Sequence, residues 1–285
     1  MSDLFSAPTP PRKSATVSAR PKVLENEAYD ANAIEVLEGL EPVRRRPGMY
    51  IGGTDEGALH HLAAEILDNS MDEAVAGHAN TIDVHLAPDN RLCVRDNGRG
   101  IPVDPHPRFP DRSALEVILT TLHAGGKFSG KAYATSGGLH GVGSSVVNAL
   151  SSRMDVEIAR DRTLWQQSYE RGKPVTALEK AGAAPNRRGT QITFQPDPEI
   201  FGTHVFVPSR LYRLCRSKAF LFRGVTIRWS CDPTLLKAGD DTPVEAVLHF
   251  PGGLADSLAD DLGPHAPRRT PSWSGGAPRP PPAEG

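Results

Sequence analysis

The longest two-sided pattern of apolar and polar positions runs from Leu59 to Ala76. Leu59, Leu62, Ala63, Ile66, Leu67 and Ala74 recur at helical spacing and predict one apolar face. His61, Glu65, Asp68, Asn69 and Asp72 fall on the opposite arc, since side chains four apart stack along one side of a helix. Further helices are predicted over 33–40, 114–122, 144–151 and 209–221. Alternation predicts strands over 81–86, 91–95, 154–160, 164–169, 189–195 and 225–229. No internal repeat interrupts this order, which predicts a mixed sheet backed by helices on one face.

Three stretches carry candidate chemistry. On the first helix a Glu has a His one turn before it and an Asn one turn after it. Such a His can orient the carboxylate, and the Glu can take a proton from water. The Asn carbonyl can offer an oxygen to Mg²⁺, which prefers few protein ligands. The second stretch is the strand Arg91–Asp96, broken at once by Asn97-Gly98-Arg99-Gly100-Ile101-Pro102. A carboxylate at a strand end can accept the exocyclic amine of adenine, and glycines let backbone approach a flat ring. The third is Gly137-Gly138-Leu139-His140-Gly141-Val142-Gly143, which opens into an apolar helix. No GxxxxGK[ST] occurs, and Gly141-Val142-Gly143 is followed by Val146 where the dinucleotide fingerprint needs glycine. Small residues entering a helix still favour phosphate through free amides. Alone, each stretch also fits a bland reading: a solvated helix face, an Asp-Asn-Gly turn, a surface loop. In this order they describe an ATP site.

Together these residues resemble the gyrase, chaperone, histidine kinase and mismatch-repair ATPase superfamily. Within it the wording resembles the type II DNA topoisomerase B subunits over about 27–262. The resemblance is carried by Tyr29 to Leu37, Leu40-Glu41-Pro42-Val43-Arg44-Arg45-Arg46-Pro47-Gly48-Met49-Tyr50, Leu122 to Phe128 and Ser136 to Gly143. Glu41 to Arg46 and Ser209-Arg210-Leu211 lean toward the topoisomerase IV branch over gyrase. The fold implied is α+β, a Bergerat-type ATP-binding α/β sandwich, followed by the truncated start of a transducer domain.

The resemblance also implies roles. Glu65 would be the general base and His61 would orient it. Asn69 would hold Mg²⁺. Asp96 would bind the adenine amine, helped by Thr190 through water. Gly100, Ile101 and Pro102 would wall the adenine, with Arg99 over it and paired to Glu73. Tyr133, Gly138, Leu139, His140, Gly141, Val142 and Gly143 would close over the phosphates, with Lys127 on the same lid. Arg160 would sit at the pocket mouth, where aminocoumarin-type inhibitors of the family bind. Tyr29 would belong to an arm, 27–36, that crosses to a second copy of the chain. The cofactors implied are ATP and Mg²⁺. The partners implied for the intact enzyme are DNA and the topoisomerase IV A subunit.

Composition changes this picture little. The 285 residues carry a net charge of −2, far from the basic footprint of a DNA-binding domain. Cys93, Cys215 and Cys231 form no CxxC and predict reduced thiols. No apolar run reaches membrane-spanning length, and a cytoplasmic location is expected. Residues 1–26 mix Pro, Ser, Thr and basic residues without an apolar core and read as a disordered leader. The nucleotide domain is expected over 27–243, and 244–262 would open the transducer. From Gly263 the text turns proline-rich and reads as a disordered tail, with two origins open: a natural tail, or the preferred one, translation out of frame with what precedes it. Slow turnover is therefore expected of the chain on its own. Two other readings stay open: a gyrase-type ATPase module, and a nucleotide-binding remnant without catalysis. A histidine kinase module would need an upstream phospho-acceptor helix.

Overall fold

The computed structural model describes residues 36–124 and 141–256. The architecture below belongs to the compact unit that begins at Glu38. Two short helices, α1 (Glu41–Arg45) and α2 (Gly48–Ile51), lead into the long α3 (Glu56–Val75). Strands β1 (Thr81–Leu86) and β2 (Leu92–Asp96) follow, then a small hairpin of β3 (Pro105–His106) and β4 (Phe109–Ser113). Next come α4 (Ala114–Thr120), α5 (Gly143–Ala149), β5 (Ser151–Arg160) and β6 (Thr163–Glu170). Short β7 (Lys173–Pro174) and β8 (Glu179–Ala183) precede β9 (Gly189–Pro196) and α6 (Pro198–Phe201). The chain continues through α7 (Pro208–Leu221), β10 (Thr226–Cys231) and β11 (Glu245–His249).

Nine strands form one sheet in the order β11-β10-β1-β2-β9-β5-β6, with β7 and β8 both on β6. β1 and β10 run parallel and the remaining pairs are antiparallel, so the sheet is mixed. α3 packs on β1, β2 and β9, α5 on β5 and β6, and α7 on β10 and β11. Strand parity sets which residues meet these helices. Ile82, Val84 and Leu86 of β1, Leu92 and Val94 of β2, and Met154, Val156 and Ile158 of β5 are all buried. From α3 they receive Leu59, Leu62, Ala63, Ile66 and Leu67, each at most 2 % exposed. Each of these leucine and isoleucine side chains contributes roughly 1.5–3 kcal/mol of transfer free energy, which anchors α3 in one rotation.

The ends of α3 follow from local chemistry. Asp55 caps it, accepting the Ala58 N–H at 2.8 Å. At its other end Gly77 turns left-handed at φ +76°. Ser113 caps α4 in the same way, at 3.1 Å from the Glu116 N–H.

Several expectations need correction. The helix expected over 33–40 is not helical across its described part, 36–40. Gly39 sits at φ +62°, and the helix starts at Glu41 with Pro42 in its first turn. Proline lacks the N–H that a first turn leaves unused, so it marks a start there. The polar arc of α3 also divides. Glu65 and Asn69 face α5, Asp68 pairs with Lys218 of α7 at 2.5 Å, and Asp72 is only 4 % exposed. The β3–β4 hairpin, α1, α2, α6, β7, β8 and β11 were not expected. β8 is exposed at all five positions and shows no alternation. β11 pairs with β10 and carries the sheet past Pro243.

Candidate active site

Parity along β2 decides the first feature. Asp96 lies two residues beyond Val94 and four beyond Leu92, so its carboxylate turns inward with them and is 6 % exposed. Oδ1 accepts the backbone N–H of Gly98 at 2.8 Å and of Thr190 at 3.3 Å. Among the described residues Oδ2 receives only the Ser70 hydroxyl, at 3.4 Å. Burial pushes this carboxyl up to about 6, against the lowering effect of those donors, and the nearby Glu73 charge adds to the rise. A buried carboxylate with one oxygen thinly satisfied is suited to take a further donor.

The turn after β2 builds a wall beside Asp96. The Ile101 N–H donates to Thr190 Oγ1 at 3.1 Å, and Arg160 Nη1 donates to the Gly100 carbonyl at 2.9 Å. Ile101 packs against the core while Pro102 is exposed. Arg99 closes on Glu73 through its backbone N–H and Nε, both at 3.1 Å, and Nη2 at 2.7 Å. Gly189 lets β9 come this close. It sits at φ +111°, and a Cβ there would lie 2.0 Å from the Asp96 carbonyl oxygen. Asn97 ties the turn back to β1, accepting the N–H groups of Asn80 and Thr81 at 2.9 and 3.1 Å.

The other end of the site lies between α3 and α5. His61 Nε2 is 3.3 Å from Glu65 Oε1. Glu65 Oε2 faces the first residue of α5, where a Cβ on Gly143 would lie 2.0 Å away. Asn69 Nδ2 donates to Ser144 Oγ at 3.0 Å. Of the Asn69 side-chain atoms, the carbonyl oxygen is the one whose chemistry suits a cation. Gly141 is left-handed at φ +61°, and Val142 is the N-cap residue of α5. Along α3 the order Glu65, Asn69, Ser70, Glu73 therefore runs from the start of α5 to the end of β2, about 12 Å at 1.5 Å per residue.

Among the residues expected from the sequence, Glu65, His61, Asn69, Glu73, Asp96, Arg99, Gly100, Ile101, Gly143, Arg160 and Thr190 come together in this way. Tyr29, Lys127, Tyr133, Gly138, Leu139 and His140 lie outside the described residues. Ser70, Ser144 and Gly189 belong to the site and were not singled out. Ser70 follows Asn69 directly on α3, and Gly189 precedes Thr190, so adjacency was the available signal. Among the described residues no group of three or more His, Cys, Asp or Glu could hold a metal ion. No helix among the described residues is long and apolar enough to cross a membrane.

This arrangement has known relatives. A family model described as histidine kinase-, DNA gyrase B-, and HSP90-like ATPase matches residues 54–200. The B subunit of DNA topoisomerase 4 from Caulobacter vibrioides is 64% identical over 233 residues, 81% of this chain and 33% of the relative. Its counterpart from Rickettsia bellii is 52% identical over 265 residues, 93% of this chain and 38% of the relative. The B subunit of DNA gyrase from Thermotoga maritima is 55% identical over 203 residues, 71% of this chain and 32% of the relative. The chain thus spans about a third of the length of these relatives. Among solved structures, the 43K ATPase domain of Thermus thermophilus gyrase B in complex with an aminocoumarin matches with a TM-score of 0.66 at 42% identity. That match covers 79% of this chain and 55% of the other. A mixed sheet under α3, a buried Asp at the end of β2 and a family match across both make this chain a member of the histidine kinase-, DNA gyrase B- and HSP90-like ATPases.

Proposed function

We propose that this chain binds ATP with Mg²⁺ and is the ATPase module of a topoisomerase IV B subunit. In the whole protein it would drive ATP-dependent DNA strand passage with a topoisomerase IV A subunit. The single observation that carries the nucleotide reading is Asp96: an inward carboxylate, held by two N–H donors on Oδ1 and one long bond on Oδ2. Higher identity over a longer span favours topoisomerase IV over gyrase.

In this reading Asp96 Oδ2 accepts the adenine amine, and the Gly100–Ile101 turn covers one face of the ring. Thr190 fixes both: its N–H holds Asp96 and its hydroxyl accepts from Ile101. Its own hydroxyl proton remains to be donated toward the base or a bridging water. Mg²⁺, when bound, neutralises charge on the phosphate oxygens. Asn69 would supply it one oxygen, with Ser144 holding that side chain in place. Glu65 takes the proton of the attacking water, and His61 orients the carboxylate. Gly141, Val142 and Gly143 would offer amides to the phosphates, and Lys127, Tyr133, Gly138, Leu139 and His140 are proposed as further phosphate-binding residues. Arg160 edges the mouth, where an aminocoumarin would compete with nucleotide. Tyr29 belongs to an arm that would join two copies of the chain.

The test separates binding from hydrolysis. Asp96→Ala leaves the amine unpaired and is expected to weaken ATP binding about tenfold or more by calorimetry. Glu65→Gln is expected to bind ATP normally and to lose about 10²–10⁴-fold in single-turnover phosphate release. Unchanged affinity in the first variant, or unchanged release in the second, would reject the corresponding assignment.

A further inference from the structure

Three successive carbonyls across the junction of α5 and β5, Ala149 to Ser151, are each taken by a donor from a distant segment. Ala149 O accepts Arg44 Nη1 at 2.7 Å. Leu150 O accepts the Asp197 N–H at 2.9 Å, and Ser151 O accepts the Arg171 N–H at 3.0 Å. The same three donors meet through their side chains. Asp197, whose side chain is 0% exposed, receives Arg44 Nη2 at 2.7 Å and Arg171 Nε at 2.9 Å, both on Oδ2. Its Oδ1 accepts the Glu199 N–H at 3.1 Å, as the N-cap of α6. Glu199 approaches both arginines, at 3.4 and 2.7 Å, so two cations face two carboxylates. The arginines draw the Asp197 carboxyl below its ordinary value although burial opposes them.

Arg44 comes from α1, Arg171 from the turn after β6 and Asp197 from the start of α6. None lies in the site described above, and nothing in the nucleotide reading uses them. What they share is α5. That helix has seven residues and is about 10 Å long. Its far end is held at Ala149 and, directly beyond it, at Leu150 and at Ser151 of β5, and its near end touches Glu65 through Gly143 and Asn69 through Ser144. A helix of two turns has little length over which to absorb a shift, so displacement at the clamp reaches Gly143.

We propose that Arg44, Asp197 and Arg171 are positioning residues for hydrolysis. By clamping the C-terminal end of α5 they set the separation of Gly143 from the Glu65 carboxylate, and so the alignment of the base with its water. None of the three is among the residues proposed to hold the nucleotide or the attacking water. The proposal rests on the reading of Glu65 as the general base. A misplacement of about 1 Å can lower a rate about 10²-fold, which is the scale available to the clamp.

Arg44→Lys is the informative variant. It keeps a positive charge beside Asp197, but an ammonium lacks the planar fork that reaches Asp197 and the Ala149 carbonyl together. In the full chain it should keep its melting temperature within a few degrees and its ATP affinity within about threefold. Single-turnover phosphate release should slow about tenfold or more. Amide hydrogen exchange over 146–150 should quicken while that of β2 and β9 stays unchanged. Arg171→Ala should give the same split and serves if Arg44→Lys does not fold. Wild-type release in the folded variants would overturn the proposal. So would parallel losses of melting temperature, affinity and rate, which mark a merely structural role. Glu65→Gln is assayed alongside. If it abolishes release while Arg44→Lys does not slow it, only the positioning role falls. If Glu65→Gln releases phosphate normally, the base reading falls and the positioning role with it.

Discussion

Lowering the pH should weaken ATP binding through one side chain, Asp96. Burial raises its carboxyl to about 6 in the empty fold. Oδ1 already holds two N–H donors, so the proton resides on Oδ2, the oxygen proposed for the adenine amine. Binding then requires that proton to leave. At pH 7.5 the carboxylate is ionised and affinity is on its plateau. At pH 5, one unit below the raised value, about nine sites in ten are protonated, and apparent affinity falls about tenfold, or about 1.4 kcal/mol. Calorimetry in buffers of different ionisation heat should count about one proton released per ATP at pH 5 and almost none from Asp96 at pH 7.5. The nucleotide's own phosphate titrates near this range, and Asp96→Asn, which leaves that contribution in place, provides the subtraction. Wild-type and Asp96→Asn curves of equal slope between pH 5 and 7 would refute the reasoning.

The same shift has a stability consequence of opposite direction. With its folded value above the unfolded one, Asp96 contributes stability that is full below about 3.8 and lost as pH rises through about 6. Asp96→Asn should therefore stabilise the empty protein at pH 8 by up to about 3 kcal/mol in urea unfolding, with the gain vanishing near pH 4; an Asn variant less stable than wild type at pH 8 would contradict this. His60 works the other way: its Nδ1 faces the Glu56 carbonyl at 2.7 Å, its Nε2 accepts the Val207 N–H at 2.9 Å, and burial lowers its value. It contributes stability that is full above about 6.5 and is lost as pH falls, so His60→Gln should flatten the acid side of the unfolding profile. Gly143→Ala should cut phosphate release at least tenfold with a small change in melting temperature, because its Cβ would occupy the place of Glu65 Oε2; wild-type release would show that the carboxylate has room to move.

Much of the site was legible because periodicity and chemistry coincide. Leu92 and Val94 fix the inner face of β2, and counting two more residues turns Asp96 inward. Glu65 and Asn69, four apart on a helix with a clear apolar face, had to share a side. The polar arc was harder to divide. Nothing near Asp68 says that Lys218, 150 residues later, will claim it. Gly189 was invisible for a similar reason, since its need for φ > 0 arises from an Asp96 carbonyl brought in by sheet pairing. The helix expected over 33–40, absent from its described part 36–40, came from reading apolar spacing without its stop signal. Gly39 and Pro42 together mark the end of a turn and the start of α1. The Pro-rich hairpin of β3 and β4 follows no alternation, and its outer strand is exposed from Phe109 to Arg112.

The strand order also governs when the molecule can become complete. β9 lies between β2 and β5, yet it is made after both and after the β5–β6 hairpin. Until residue 196 has left the ribosome, β2 and β5 each carry a bare edge that invites pairing with the wrong chain. The contact that joins Asp96 to Thr190 spans 94 residues of sequence, so loop closure must be nearly finished before it forms. A nascent or refolding chain therefore gains the pocket proposed for nucleotide as one of its last acts, and on that reading ATP added during refolding selects for molecules whose central strand is already home.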